Sequence, residues 1–151
     1  MQAASEPVGP ASADRCENFT TGAAKVPGPR VLVVDDELLI RWALRECLTA
    51  AGYRVIEARD ASSGLAHLLK GRPKVDLVLL DLRLPDNHGV GLVARVRRLS
   101  PDIRIIVMTA HGDPDLASEA VALGAECVVA KPFCVDEMTT LVGRALARQA
   151  T

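Results

Sequence analysis

Two short apolar runs of this sequence each end at carboxylates, and this pattern constrains the fold more than any other feature. Residues 31–34 are aliphatic and mostly β-branched, which predicts a buried strand, and Asp35 and Asp36 follow directly. Residues 75–80 form a second, mostly apolar run, which is followed by Asp81. Because the carboxyl ends of parallel strands meet at one edge of a sheet, we expect the three carboxylates to converge there. Such a cluster is costly unless a cation joins it, and the hard, oxygen-preferring Mg²⁺ is the ion that we expect.

Apolar runs alternate with amphipathic stretches from Arg30 onward. The predicted strands are residues 31–34, 54–57, 75–80, 103–108 and 127–130, and the predicted helices are residues 37–51, 61–70, 90–99, 114–123 and 135–148. Helix ends are marked by Gly52, Gly71 and Gly124, and a helix start by Asp113 with Pro114. Five strand–helix units with short connections predict an α/β fold, a doubly wound parallel sheet covered by helices on both faces.

The composition fits one globular core and gives no electrostatic argument for binding nucleic acid or a membrane. The chain has 151 residues, 49% of them hydrophobic, and a formal net charge of −1. Its four cysteines match no zinc-binding spacing, and no apolar run suits a signal sequence, so we expect reduced thiols and a cytoplasmic location. The proline-interrupted residues 1–28 predict a disordered N-terminal tail. We therefore expect residues 29–151 to form one domain, and we expect no output domain.

Two further polar groups are predicted at the same edge of the sheet. Thr109 follows the fourth predicted strand and Lys131 follows the fifth. A hydroxyl and an ammonium suit phosphoryl oxygens, and one of the carboxylates can act as a nucleophile that forms an aspartyl phosphate. Taken singly, Asp35 could instead cap a helix, Asp81 could cap a turn, and Lys131 could be a solvated surface residue.

At these positions the sequence resembles the receiver domain of two-component response regulators, over about residues 30 to 148. The resemblance rests on four motifs in order: Val34-Asp35-Asp36-Glu37, Leu80-Asp81 with Pro85 and Gly89, Met108-Thr109-Ala110, and Gly124-Ala125 with Lys131-Pro132-Phe133. It implies the flavodoxin-like five-stranded parallel sheet of order 2-1-3-4-5 with five helices. It also implies a phosphorelay switch that is not a turnover enzyme, although it accepts a phosphoryl group and dephosphorylates itself.

The resemblance also implies a role for each site residue. Asp81 would be the phosphoacceptor, and Asp36 and Asp81 would bind Mg²⁺ directly. The backbone carbonyl of Arg83 would be a third ligand, and Asp35 would act mostly through a metal-bound water. Thr109 would donate a hydrogen bond to the phosphoryl group and Lys131 would pair with one of its oxygens, next to a cis Lys131–Pro132 bond.

The helical periodicity places Leu38 and Trp42 on the first helix, opposite its predicted core face and beside the acidic residues. Because receivers dock this helix on their phosphodonor, we expect both side chains to contact a histidine kinase or histidine phosphotransferase. The alternative is that Trp42 packs against a neighbouring helix. The downstream protein effector is not readable from the sequence, and a homodimer is compatible with it.

Val128 departs from the family pattern, which has an aromatic residue at this position in the fifth strand. One hypothesis is that the readout from Thr109 to that aromatic is weakened here; the other is that valine simply packs. The residues also bear on two other functions. A phosphorylation-independent adaptor stays open, whereas an aspartyl-phosphate phosphohydrolase is disfavoured because Arg83 stands where its general-acid Asp is needed.

Overall fold

The computed structural model describes residues 26–110 and 113–148 and forms a three-layer α/β fold. The strands of the main sheet are β1 (Arg30–Val34), β2 (Arg54–Ala58), β3 (Leu77–Asp81), β4 (Arg104–Thr109) and β5 (Cys127–Ala130). The helices are α1 (Leu38–Ala50), α2 (Ala61–Lys70), α3 (Gly91–Leu99), α4 (Pro114–Ala122) and α5 (Val135–Arg148). A short antiparallel hairpin, Arg83–Leu84 with Asn87–His88, lies between β3 and α3.

The sheet has the strand order β2-β1-β3-β4-β5, and every pairing in it is parallel. The predicted fold class and strand order are therefore confirmed. The bounds differ at two functional positions, because Asp81 and Thr109 are the last residues of their strands and not the residues after them. Asp81 pairs with Met108, and Thr109 pairs with Ala130. The side chains of Asp81 and Thr109 thus extend from backbone that is paired within the sheet.

Alternating strand residues supply two separate cores, one on each face of the sheet. Leu32, for example, packs on the face covered by α2, α3 and α4, whereas its neighbours Val31 and Val33 pack on the face covered by α1 and α5. Strands buried on both faces explain why their sequences are continuously apolar. The carboxyl-terminal edge between the two helical layers is the place where polar side chains can collect.

Local signals set the ends of the helices as predicted. Gly71 ends α2 in the left-handed conformation at φ 66°, and the Asp113 side chain caps α4 by accepting from the backbone N–H of Asp115. The start of α2 is held by a contact distant in sequence. The Asp86 carboxylate, on the loop after β3, accepts from the backbone N–H groups of Ala61 and Ser62, each at 2.9 Å. This contact ties the loop that follows Asp81 to α2.

Most of the predicted tail lies outside the described residues, so the disorder predicted for residues 1–28 stays a prediction. The last of these residues contacts the domain, since the Gly28 carbonyl accepts from Arg54 Nε at 3.1 Å. A Cβ at Gly28 would stand 1.9 Å from the Gly52 carbonyl oxygen, so the chain already packs closely at this point. Among the described helices, none combines the length and the apolar character that crossing a bilayer requires.

Candidate functional site

Three carboxylates meet at the carboxyl-terminal edge of the sheet. β1 and β3 are neighbours, with Val34 paired to Leu80, so Asp35 and Asp36 leave β1 beside Asp81. Each of the three offers a carboxylate oxygen, and these atoms all lie within 4.8 Å of one another. Asp35 is fully buried and Asp81 is 3% exposed, whereas Asp36 is open to solvent. The convergence that the two apolar runs predict is present in the structure.

The Lys131 ammonium lies among these carboxylates. Its Nζ is 2.7 Å from Asp35 Oδ2, 3.0 Å from Asp81 Oδ2 and 3.1 Å from Glu37 Oε1. Its position follows from β5, which ends at Ala130, and from its own backbone N–H, which donates to the Thr109 carbonyl at 2.7 Å. Lys131 is therefore not a solvated surface lysine. The Lys131–Pro132 peptide bond is cis, as the family resemblance implied.

Burial and charge act in opposite directions on the two buried partners. Burial raises the pKa of Asp35 above its ordinary value, and this outweighs the lowering effects of Lys131 and of the Glu37 backbone N–H. Burial by itself would lower the pKa of Lys131, but its hydrogen bonds and charge contacts with Asp35 and Asp81 raise it instead. Lys131 therefore stays a cation, and Asp35 is the member of the pair that is costly to ionise.

Backbone contacts fix the direction of the two buried carboxylates. Asp35 Oδ1 accepts from the Glu37 N–H at 2.8 Å, and Asp81 Oδ1 accepts from the Arg83 N–H at 2.9 Å. Asp35 does not cap α1, because the cap residue of that helix is Glu37. Asp81 does close a local turn, but its other oxygen faces Lys131. The turn is thus compatible with the predicted role of Asp81.

The remaining predicted site residues surround this cluster. Thr109 is buried at the end of β4, next to β3 and to the start of the Lys131 loop. The Arg83 side chain is exposed, and the metal contact predicted for its carbonyl stays a prediction. Val128 is half-buried and packs against the core under α2, α3 and α4, which fits the simple packing hypothesis without testing the readout from Thr109.

The residues present fit a hard divalent cation. The donor set consists of carboxylate oxygens, which are the ligands that Mg²⁺ prefers. Buried Asp35 Oδ2 has Lys131 Nζ, at 2.7 Å, as its single contact among the described residues. That oxygen keeps a lone pair for a cation or for a water molecule bound to one. Asp36 and Asp81 would hold the ion, and Asp35 would support it.

An exposed apolar patch adjoins the acidic cluster, as the periodicity of the first helix predicted. Leu38 is 65% exposed and Trp42 is 53% exposed. Trp42 is not among the described residues that pack against either core, which disfavours the alternative in which it fills a satellite core. The helical periodicity predicts a core face of α1 made of Ile40, Ala43, Leu44, Cys47 and Ala51. This face needs one correction, because Leu48 is buried and Ala51 is exposed at the helix end. Leu39, which is also exposed, lines an adjoining groove that reaches Lys131 and Phe133.

Sequence reasoning missed two contacts at this site. Glu37, the third acidic residue of the Asp-Asp-Glu run, pairs with Lys131, and Arg41 donates from Nη1 to the Asp35 carbonyl at 2.7 Å. The adjacency of Glu37 to the two aspartates was the available signal for the first contact. The sequence offers no signal for the Arg41 contact, because helical periodicity predicts on which face an arginine lies but not which atom its guanidinium reaches.

Comparisons with known proteins agree with this geometry. Residues 31–143 match the model of the response regulator receiver domain. Sporulation initiation phosphotransferase F of Bacillus subtilis is 38% identical over 117 residues, which cover 78% of this chain and 93% of that protein. The DNA-binding transcriptional regulator NtrC of Salmonella typhimurium is also 38% identical over 117 residues, but these are only 24% of its length.

A solved structure shows the same architecture. The CheY-like receiver domain protein of Methanospirillum hungatei superposes with a TM-score of 0.76 at 27% identity, covering 82% of this chain and 97% of that one. The family model, the sequence relatives and the solved structure thus agree on the same domain. The chain belongs to the response regulator receiver domain family of two-component signalling systems.

Proposed function

We propose that this chain is a phosphoacceptor switch that receives a phosphoryl group on Asp81 from a phosphohistidine. The observation that carries the proposal is the position of Lys131 Nζ, which contacts the carboxylates of both Asp81 and Asp35 from inside the fold. A fixed cation beside a nearly buried carboxylate suits the transfer of an anionic group to that carboxylate. A structural ion pair would not need the solvent-exposed Asp36 beside it.

In the proposed reaction an oxygen of Asp81 bonds to phosphorus as the P–N bond of the phosphohistidine breaks. The bonding electron pair returns to the imidazole nitrogen of the donor. Lys131 exchanges a carboxylate contact for a phosphoryl oxygen, and the Thr109 hydroxyl donates to another. Mg²⁺, when bound, offsets the negative charge of the phosphoryl oxygens. Hydrolysis of the acyl phosphate resets the switch, so the protein is consumed and restored and does not turn over an external substrate.

The first test is the intact mass of the protein after incubation with acetyl phosphate. We expect one phosphoryl adduct in the presence of Mg²⁺ and none after the metal is chelated, because the carboxylates repel the donor unless a cation is present. Peptide mapping should place the adduct on the segment that contains Asp81. If no adduct forms while a known receiver is modified in parallel, the phosphorylation-independent adaptor becomes the better function.

The exposed patch beside the site supports a proposal for the phosphodonor's contact surface. Leu38 and Trp42 are large, apolar and solvent-exposed on the α1 turns nearest the acidic cluster. Exposed aromatic side chains are enriched at interface hot spots, and a donor helix resting there would bring its phosphohistidine to Asp81. We therefore propose that both side chains contact a histidine kinase or histidine phosphotransferase.

Replacing Trp42 with alanine should slow transfer from a phosphorylated kinase by roughly 10-fold or more, which is the range of a hot-spot truncation. Transfer from acetyl phosphate should not change, because that donor needs no docking surface. The measurement uses whichever purified phosphorylated kinase transfers most rapidly to the wild-type chain. Leu69→Ala is the matched control, since Leu69 is 73% exposed on α2 and away from the acidic cluster. Equal slowing with both donors would place the defect in the site itself.

A further inference from the structure

The Arg41 side chain contacts the acidic loop, residues 35–37, which joins β1 to α1. Its side chain is only 13% exposed. Nη1 donates to the backbone carbonyl of Asp35 at 2.7 Å, and Nε is 3.4 Å from Glu57 Oε1 on β2. The guanidinium therefore connects three elements: the end of β1, the first turns of α1 and the edge strand β2.

The carbonyl that accepts from Arg41 belongs to the peptide group that precedes Asp36. β1 ends at Val34, so the Asp35 carbonyl lies beyond the strand. The Asp35 carbonyl and the Asp36 N–H belong to one planar peptide group, so fixing the oxygen also fixes the plane that leads into the Asp36 Cα. The Asp35 N–H on its other side already donates to the Ala58 carbonyl at 3.1 Å. Arg41 thus orients the backbone that leads into Asp36, which is the exposed member of the three clustered aspartates.

Glu57 keeps the guanidinium in this place and offsets its charge. The Glu57 carboxylate contacts Arg41 through Oε1 and Arg45 Nη1 through Oε2, the latter at 3.1 Å. A planar guanidinium can span a carbonyl on one side and a carboxylate on the other, whereas an ammonium at the same distance cannot present that fork. Arg45 is the natural comparison, because it shares Glu57 but makes no hydrogen bond to the acidic loop within the described residues.

We propose that Arg41 is a positioning residue for the metal and phosphoryl site, acting through the Asp35–Asp36 peptide. The inference rests on the proposed function, since it concerns the same carboxylates. It predicts that Mg²⁺ affinity falls when Arg41 is removed, whereas simple electrostatics predicts that this affinity rises. Removing a nearby positive charge should tighten the binding of a cation, whereas losing the support of the loop should weaken it.

The test measures Mg²⁺ affinity without using activity. The urea midpoint of unfolding is followed against Mg²⁺ concentration, and the dissociation constant is obtained from the linkage between binding and stability. We expect Arg41→Gln to weaken Mg²⁺ binding by roughly 10-fold to 100-fold, the range seen when a supporting group behind a metal ligand is removed. Arg45→Gln should bind Mg²⁺ as the wild type does or slightly more tightly. Arg41→Lys keeps the charge but not the fork, so it should also bind more weakly than wild type.

Each outcome decides between the explanations. Wild-type affinity in Arg41→Gln, or equal weakening in Arg45→Gln, overturns the inference. Should Arg41→Gln fail to fold, Arg41→Lys gives the decision by the same measurement, with unchanged affinity overturning the inference. If the wild-type protein shows neither a Mg²⁺-dependent unfolding midpoint nor a phosphoryl adduct, both the proposed function and the inference about Arg41 fail. A wild type that binds Mg²⁺ while the variants do so equally well overturns only the role of Arg41.

Discussion

The Asp81→Asn protein should acquire no phosphoryl adduct from acetyl phosphate and Mg²⁺ under conditions that modify the wild type. The amide has nearly the shape of the carboxylate, and its oxygen can still accept from the Arg83 N–H. It lacks the anionic oxygen that would bond to phosphorus, so the loss should be complete and not partial. Intact mass spectrometry measures this directly, and circular dichroism of the same sample checks that the fold persists.

Asp102→Asn is the matched control for this experiment. Asp102 is exposed and lines a cavity with residues at the opposite end of the sheet, among them Asp76 and Ile103. The same chemical change there should leave the adduct and its Mg²⁺ dependence intact. An adduct that survives in Asp81→Asn and maps to Asp35 or Asp36 would contradict the assignment of Asp81, although the site as a whole would stand.

The sequence could predict this site because each functional residue stands next to a strand end. Alternation of apolar strands with amphipathic helices implies parallel strands, and parallel strands bring Asp35, Asp81 and Lys131 to one edge whatever the finer packing is. The burial of Asp35 and Asp81 follows in the same way, since both strands are covered on two faces. Neither inference requires knowledge of a single side-chain conformation.

Contacts made by long side chains across elements could not be predicted. Arg41 reaches a carbonyl, and Asp86 reaches the first N–H groups of α2. Each depends on rotamers and on the spacing of neighbouring elements, which leave no periodic signal in the sequence. The strand bounds at Asp81 and Thr109 were missed by one residue because ladder pairing, and not polarity, decides where a strand ends.

Lys131→Met should produce the largest loss of stability among the changes considered at this site. The substitution keeps an aliphatic stem but leaves Asp35 and Asp81 without the cation that contacts both. Removing one partner of a buried ion pair costs about 3 to 5 kcal/mol in the free energy of unfolding, since the other charge stays buried. Urea denaturation of the metal-free protein measures the cost. Lys70→Met, at an exposed position on α2, should change the free energy by less than about 0.5 kcal/mol.

Asp35→Asn in the Lys131→Met background should recover much of this loss at neutral pH. Asparagine fills nearly the same space without a charge, so the most deeply buried anion is no longer present. The two substitutions should therefore be non-additive, with a coupling energy on the order of 1 to 3 kcal/mol. Additive costs would mean that Lys131→Met acts through lost packing of the loop between β5 and α5 and not through charge.

The pH dependence of the stability lost in Lys131→Met tests whether ionised Asp35 causes that loss. Burial already holds the pKa of Asp35 above its ordinary value of 3.8, and loss of Lys131 removes the interactions that lower it. A carboxyl group whose pKa is higher in the folded state contributes stability below its unfolded pKa, and this contribution is lost as pH rises through the folded pKa. The deficit of Lys131→Met relative to wild type should therefore be smaller at about pH 5 than at about pH 8. With Asp35→Asn present, this difference should largely disappear, because asparagine has no proton to gain in that range.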